Sequence, residues 1–260
     1  MQADTNARIK SLFDRADGIL ILAGAGMSVD SGLPDFRGST GLWTQAKDDF
    51  IKQATARGFD EDPLAAWRFY ARRMLMYAEC GPHAGYHALL RLVTAHGKDH
   101  FVVTSNVDGY FIRAGFDPDR MHEIHGNLRY AQCNQPCTRD LYPMPRFTAE
   151  PVAMEDLPSC PHCGHVLRPN VMMFSDSSLV WRNIDAGEER YRRWAAAKMQ
   201  ILGIEIGAGT VIPSIRWFGE ERTANLIRIN PHDADVNRRG DISMAATALD
   251  GINGLIGIIG

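Results

Sequence analysis

No stretch of this chain approaches the roughly 18 consecutive apolar residues of a membrane-crossing helix. The opening segment, MQADTNARIKSLFDRADG, lacks the apolar core of a secretory leader. Both absences predict a cytoplasmic chain with no membrane attachment. Positive charge is not in excess either: 28 Lys and Arg stand against 31 Asp and Glu, for a net charge of −3. No global field therefore draws the protein to nucleic acid or to an anionic surface. Internal repeats and low-complexity tracts are missing. Cysteine is sparse, at 5 of 260 residues, and four of the five lie in two close pairs. Without a secretion signal, paired cysteines argue for a metal before a disulfide.

What is present is ordinary globular material, 45% apolar and 23% charged, enough for one substantial core or for a core domain plus a small satellite. Short β-branched runs predict strands at 18–23 (GILILA), 100–104 (HFVVT), 120–124 (RMHEI), 199–206 (MQILGIEI) and 225–229 (NLIRI). Runs of this kind suit strands buried on both faces, and the helical patterns between them give an α/β fold around a parallel sheet. The first residues predict a helix capped by Asp4 or Thr5, with Ile9, Leu12, Phe13 and Ala16 on one face. HALLRLVTAH (87–96), AAWRFYARRMLMYAE within 45–82 and the closing ISMAATALDGINGLIGIIG also read as helical. From Tyr130 to about Leu167 the chain turns rich in Pro, Cys and polar residues, a loop-rich insert that needs a staple.

The cysteines supply that staple. Cys133-x3-Cys137 and Cys160-x2-Cys163, separated by 22 residues, can converge tetrahedrally on one zinc ion, and four protein ligands make it structural. Gly164 allows the tight turn behind the second pair, whereas the unpaired Cys80 is expected to pack as a small apolar residue. Elsewhere, ILILAGAG ends in Gly24 and Gly26 as phosphate-cradling turns do, but the third glycine of a dinucleotide fingerprint is replaced by Val29. Ser28 is placed to cap the following helix. Asn106 and Asp108 fall just past one predicted strand and His125 past the next, on the edge where open α/β sheets bind ligands. A histidine there can act as a base near neutral pH.

Taken together, GAGMSVDSGLPDFRG, TSNVDGYFIRAG, IHGN, the cysteine pairs, LRPNVMMF and a late RIN resemble, in that order, the sirtuins, NAD-dependent protein lysine deacylases. The resemblance, to bacterial-type members, spans about Ile19 to Asp241. It implies a Rossmann-like parallel-sheet domain in three segments (1–44, 95–129 and 168–260), a helical module (45–94) and an inserted small zinc-binding domain (130–167). It implies NAD as co-substrate and acylated-lysine proteins or peptides as partners, with no direct nucleic acid binding, and it leaves the oligomeric state open, a monomer included. By resemblance, Gly24, Ala25 and Gly26 hold the pyrophosphate, and Ser28, Asn106 and Asp108 form the nicotinamide pocket. Asp35 and Arg37 lie beside the cofactor, and Phe36 covers the reacting ribose. Gly207, Ala208, Gly209 and Asn230 serve the adenosine side. His125 resembles the general base that activates a ribose hydroxyl after the acyl oxygen has displaced nicotinamide from C1′. The products are free lysine, nicotinamide and O-acyl-ADP-ribose. Substrate backbone is expected to pair with the segment from Val171 to Phe174.

Three segments depart from the family pattern. Thr104-Ser105-Asn106 replaces Thr-Gln-Asn, Phe174-Ser175-Asp176 replaces Phe-Gly-Glu, and Gly207 to Pro213 is one residue shorter than GTSxxVxP. Tyr70 and Arg73 match the Tyr-x-x-Arg of sirtuins that prefer succinyl- or malonyl-lysine, since a guanidinium can bind a distal carboxylate bidentately. The competing reading is a basic helix face that includes Arg68 and Arg72. Two further readings share the cofactor pocket: an ADP-ribosyltransferase or NAD glycohydrolase that needs no acyl peptide, and an NAD- or ADP-ribose-sensing module with little turnover.

Overall fold

Strand β1 (Gly18–Ala23) alternates between two cores, and this alternation organises the protein. Ile19, Ile21 and Ala23 face one apolar cluster, while Leu20 and Leu22 face the other. A computed structural model describes residues 2–34 and 52–260. In it, β1, β2 (His100–Thr104), β3 (Met121–Glu123), β7 (Ile201–Ile206), β8 (Asn225–Ile229) and β9 (Ile242–Met244) form one parallel sheet, ordered β3-β2-β1-β7-β8-β9.

Helices cover both faces. α1 (Gln2–Arg15), α4 (Ala84–Ala95) and α8 (Ala248–Ile259) bury Ile9, Phe13, Leu89, Val93, Ile252 and Leu255 on one side. α6 (Arg182–Ala196) and α7 (Ser214–Arg222) bury Tyr191, Trp194, Ile215 and Phe218 on the other. Two further helices, α2 (Ala56–Glu61) and α3 (Pro63–Cys80), lie between β1 and β2 in sequence, and a single turn, α5 (Tyr110–Arg113), follows β2. α3 starts on Pro63 with Asp62 as cap, the Asp62 carboxylate accepting from the Ala65 amide at 3.0 Å.

A second, three-stranded antiparallel sheet is built from β4 (Gly126–Cys133), β5 (Tyr142–Pro143) and β6 (Leu167–Val171). Its β6 packs Val171 against Trp67 and Tyr70 of α3, and the Trp67 indole donates to the Leu167 carbonyl at 2.7 Å. No helix among the described residues is long and apolar enough to cross a membrane.

Some local expectations change. α1 begins at Gln2, so Asp4 and Thr5 lie in its first turn and do not cap it; Asp4 acts there through the helix dipole instead. The closing segment splits, because Ile242–Met244 joins the sheet edge and the helix starts only after Thr247, whose hydroxyl accepts from Asp250. Cys80 is exposed at the end of α3, where Gly81 turns the chain with φ 72° and the packed face of the helix has ended.

Candidate active site

The strand order reverses direction between β1 and β7, and ligands of open α/β sheets bind in the crevice at that point. Here two glycine-bearing turns cross at contact distance. The Gly26 amide donates to the Gly207 carbonyl at 3.0 Å, and the Gly24 amide donates to Ile206 at 3.0 Å. A Cβ on Gly24 would lie 2.6 Å from the Gly207 oxygen, and one on Gly207, whose φ is +62°, would lie 2.3 Å from the Met27 nitrogen. Only glycine permits this crossing. Ala25 and Gly26 are half-buried and open a turn of 3₁₀ helix over Ala25–Ser31, whereas Ala208 is buried and Gly209 exposed. Asn230, at the end of β8, turns inward: its amide donates to the Ala208 carbonyl at 3.1 Å and its oxygen accepts from the His232 and Asp233 amides. Both ends of that side chain are thus occupied in stapling the two loops.

Ser28 does not cap the turn it belongs to. It is 4% exposed, and a buried hydroxyl must find partners. It donates to Asp108 Oδ2 at 2.7 Å and accepts from Asn106 Nδ2 at 3.1 Å, and the same Asn106 nitrogen also donates to the Gly24 carbonyl at 3.0 Å. Asp108 Oδ1 accepts the Tyr110 amide at 2.9 Å. Burial pushes the Asp108 carboxyl above its ordinary value, while the Ser28 hydroxyl and Tyr110 amide pull it back down. Three residues from two strand ends are therefore one hydrogen-bonded unit. His125 stands past the end of β3, half-buried, with its carbonyl accepting from the Met172 amide at 2.8 Å. Burial lowers its pKa below the usual 6.5, opposed by a hydrogen bond to the Ser105 backbone. Asp35, Phe36 and Arg37 lie outside the described residues.

The four cysteine sulfurs lie within 4.8 Å of one another. Cys133 to Cys163 measures 3.5 Å and Cys137 to Cys160 measures 3.6 Å. Zinc–thiolate bonds of about 2.3 Å in a tetrahedron put sulfurs about 3.8 Å apart, so the donor set fits zinc in both chemistry and size. Burial opposes ionisation of Cys160, yet the backbone amides of His162 and Cys163 bring its thiol down to about 6. Gly164, at φ +74°, completes the turn by donating to the Cys160 carbonyl at 2.8 Å.

This geometry has relatives. The model of the Sir2 family matches residues 24–192. The chain is 30% identical over 245 residues to an NAD-dependent protein deacylase of Thermus thermophilus, covering 92% of this chain and 89% of the relative. It is 34% identical over 233 residues to an NAD-dependent protein deacylase of Aeropyrum pernix, covering 87% and 86%. The chain belongs to the Sir2 family. A Sir2 homologue solved with NAD superposes with a TM-score of 0.74 at 25% identity, covering 100% of this chain and 94% of that one. Another, bound to 2′-O-acetyl ADP ribose, gives a TM-score of 0.74 at 26% identity, covering 100% and 96%.

In this sirtuin, α3 does not present a uniform basic face. Arg72 is exposed and pairs with Glu150 at 2.8 Å, and Arg68 donates to the Pro151 and Val152 carbonyls. Arg73 instead is buried, donates to the Tyr77 hydroxyl and lies 5.5 Å from the Phe69 and Tyr77 ring centres. Tyr70 is buried against Phe59 and Phe69, and burial raises its phenol pKa despite the opposing charges of Arg73 and Arg168. Val171 ends β6, and the Phe174 amide donates to the Ala54 carbonyl at 3.1 Å.

Two charged groups carry no motif signal. Glu123, two residues before His125, is lifted by burial to about 7 even though Arg129 and Asn127 hydrogen-bond it. Arg168 is fully buried and ion-paired with Asp176 at 2.9 Å, tying the Ser175 turn, at φ 52°, to β6. In the sequence the pair shows as an arginine in LRPNV and, eight residues on, the aspartate of the Phe174-Ser175-Asp176 segment.

Proposed function

We propose that this sirtuin removes acyl groups from protein lysines with NAD as co-substrate, releasing nicotinamide and O-acyl-ADP-ribose. The observation that carries the reading is the convergence of three features on one crevice. These are the Gly24–Gly207 crossing, the Ser28–Asn106–Asp108 unit and a neutral His125 at the adjacent strand end. In this reading the amides of the 24–26 turn face the pyrophosphate, and the loops joined by Asn230 bound the adenosine side. The carboxylamide of nicotinamide meets the Ser28 unit. His125 takes the proton of a ribose hydroxyl once nicotinamide has left, and lowered basicity suits it to do so at neutral pH. Zinc, held by Cys133, Cys137, Cys160 and Cys163, supplies folding energy to the insert, and four thiolates leave no open position for chemistry.

The acylated peptide is assigned to the edge of β6 and its continuation to Phe174, with Tyr70 and Arg73 at the distal end of the acyl chain. Burial of Arg73, on the packed face of α3, supports an acidic-acyl role over a solvated basic face. The test is mass-spectrometric deacylation of matched acetyl, succinyl and long-chain peptides with NAD. Nicotinamide should appear in step with deacylated peptide. Nicotinamide release at the same rate without peptide would replace this reading with NAD hydrolysis or ADP-ribosyl transfer.

A further inference from the structure

The hydroxyl of Ser28 has one proton and two lone pairs, and every one of them is committed. Its proton goes to Asp108 Oδ2 at 2.7 Å, because an ionised carboxylate can only accept. Asn106 Nδ2 donates into one lone pair at 3.1 Å. The remaining neighbour is the Tyr86 hydroxyl, at 2.9 Å. With the Ser28 proton already spent, Tyr86 must be the donor. Tyr86 belongs to the first turn of α4 and is fully buried, its ring packed edge-on against Tyr110 and Phe111.

The same helix start grips the Ser28 turn at two more points. His83 Nδ1 accepts from the Gly85 amide at 3.0 Å, so its proton sits on Nε2 and is donated to the Met27 carbonyl at 2.8 Å. The His83 amide donates to Ser31 Oγ at 2.9 Å. From the opposite side, Asp30 Oδ2 accepts the Leu249 amide of α8 at 2.7 Å. The backbone of the turn is therefore pinned by its flanks, and the Ser28 side chain is oriented separately, by a phenol. A phenylalanine would fill the same volume but leave a lone pair of Ser28 unanswered.

We infer that Tyr86 is a positioning residue that fixes the rotamer and proton direction of Ser28, and through it the nicotinamide side of the pocket. The inference rests on the assignment of Ser28, Asn106 and Asp108 to nicotinamide, and the experiment separates the two. Tyr86→Phe, Ser28→Ala and the double variant are compared for KM of NAD, kcat and the inhibition constant of free nicotinamide in peptide deacylation. All rates are read well below the lowest melting midpoint of the set. Loss of one buried hydrogen bond should raise KM and the nicotinamide constant about fivefold in Tyr86→Phe, with a smaller change in kcat. In the Ser28→Ala background the same substitution should add nothing, a non-additivity that a general packing role would not produce. Equal effects of Tyr86→Phe in both backgrounds would overturn the inference, as would wild-type constants for Tyr86→Phe beside an impaired Ser28→Ala. Wild-type constants for Ser28→Ala would overturn the pocket assignment and the inference together.

Discussion

A histidine that is to accept a proton, the part proposed for His125, must arrive without one, and burial favours the neutral ring there. Because its pKa lies below 6.5, the neutral imidazole predominates at pH 7, and the base should be lost only as pH falls through the depressed value. The kcat profile is accordingly expected to hold from neutrality down to about pH 6.5 and to decline below it, checked by steady-state rates across pH 5–8. His125→Ala should abolish deacylation while NAD affinity stays within a few-fold, as measured by calorimetry; an active variant would remove the base assignment. The other residue-scale question is acyl choice. Arg73 is the one arginine of the Arg68–Arg72–Arg73 group whose side chain is buried, so Arg73→Met should lower desuccinylation at least tenfold more than deacetylation. Equal losses on the two peptides would reduce Arg73 to a packing residue.

At the scale of elements, two junctions decide what the site can hold. The first is the contact of the 24–27 turn with Gly207. Gly207→Ala places a Cβ 2.3 Å from the Met27 nitrogen at a φ of +62°, and neither backbone can withdraw without opening the β1–β7 crevice. NAD affinity should fall more than tenfold while zinc content stays at one per chain, readable by calorimetry and metal analysis. The second junction is the small sheet, where β4 leaves His125 and ends on Cys133, and β6 follows Cys160 and ends on Val171. Metal loss should therefore act on peptide binding first. Cys163→Ser, or prolonged chelation, is expected to lower the melting midpoint and raise the peptide KM several-fold. NAD binding at the other sheet should change less, as parallel peptide and NAD titrations would show.

The molecule as a whole carries a pH liability on the face that α6 covers. His122 is 4% exposed and its pKa is depressed to about 4 by burial, with Arg190 and Arg222 adding to the effect. Glu188 stands 3.5 Å from its ring, but that attraction is too weak to reverse the desolvation of so enclosed an imidazole. The unfolded chain takes up a proton near pH 6.5 that the folded chain refuses until about pH 4. Stability from this group is therefore fully present above pH 6.5 and falls as pH drops, by about 1.4 kcal/mol per unit through that window. Glu123, lifted to about 7, acts in the opposite sense over much of the same window. The His122 contribution should therefore be read as the difference between the parent and His122→Asn in denaturant melts at pH 7, 6 and 5, a difference that grows as pH falls.

The central strands, the cysteine set and the edge carrying Asn106, Asp108 and His125 were all legible in the sequence, because their signals are local. An apolar β-branched run, a close cysteine pair or a polar residue after a strand needs no knowledge of the rest of the chain. β4 and β6 were not legible, since Gln132 and Asn170 are polar yet buried and pair with each other 38 residues apart, and β9 was absorbed into the helical reading of the closing segment. The expectation that Ser28 caps a helix fails for the same reason, whereas its grouping with Asn106 and Asp108 holds. A serine after a glycine turn is a good cap by local chemistry, but its hydroxyl is claimed by Asp108, 80 residues away. What the sequence determined by itself was which chemistry is present and on which side of the sheet it would stand. Only the tertiary structure decided where each proton points, because hydrogen bonds among Ser28, Tyr86, Asn106 and Asp108 exist only once three separate strand and helix ends have been brought together and dried.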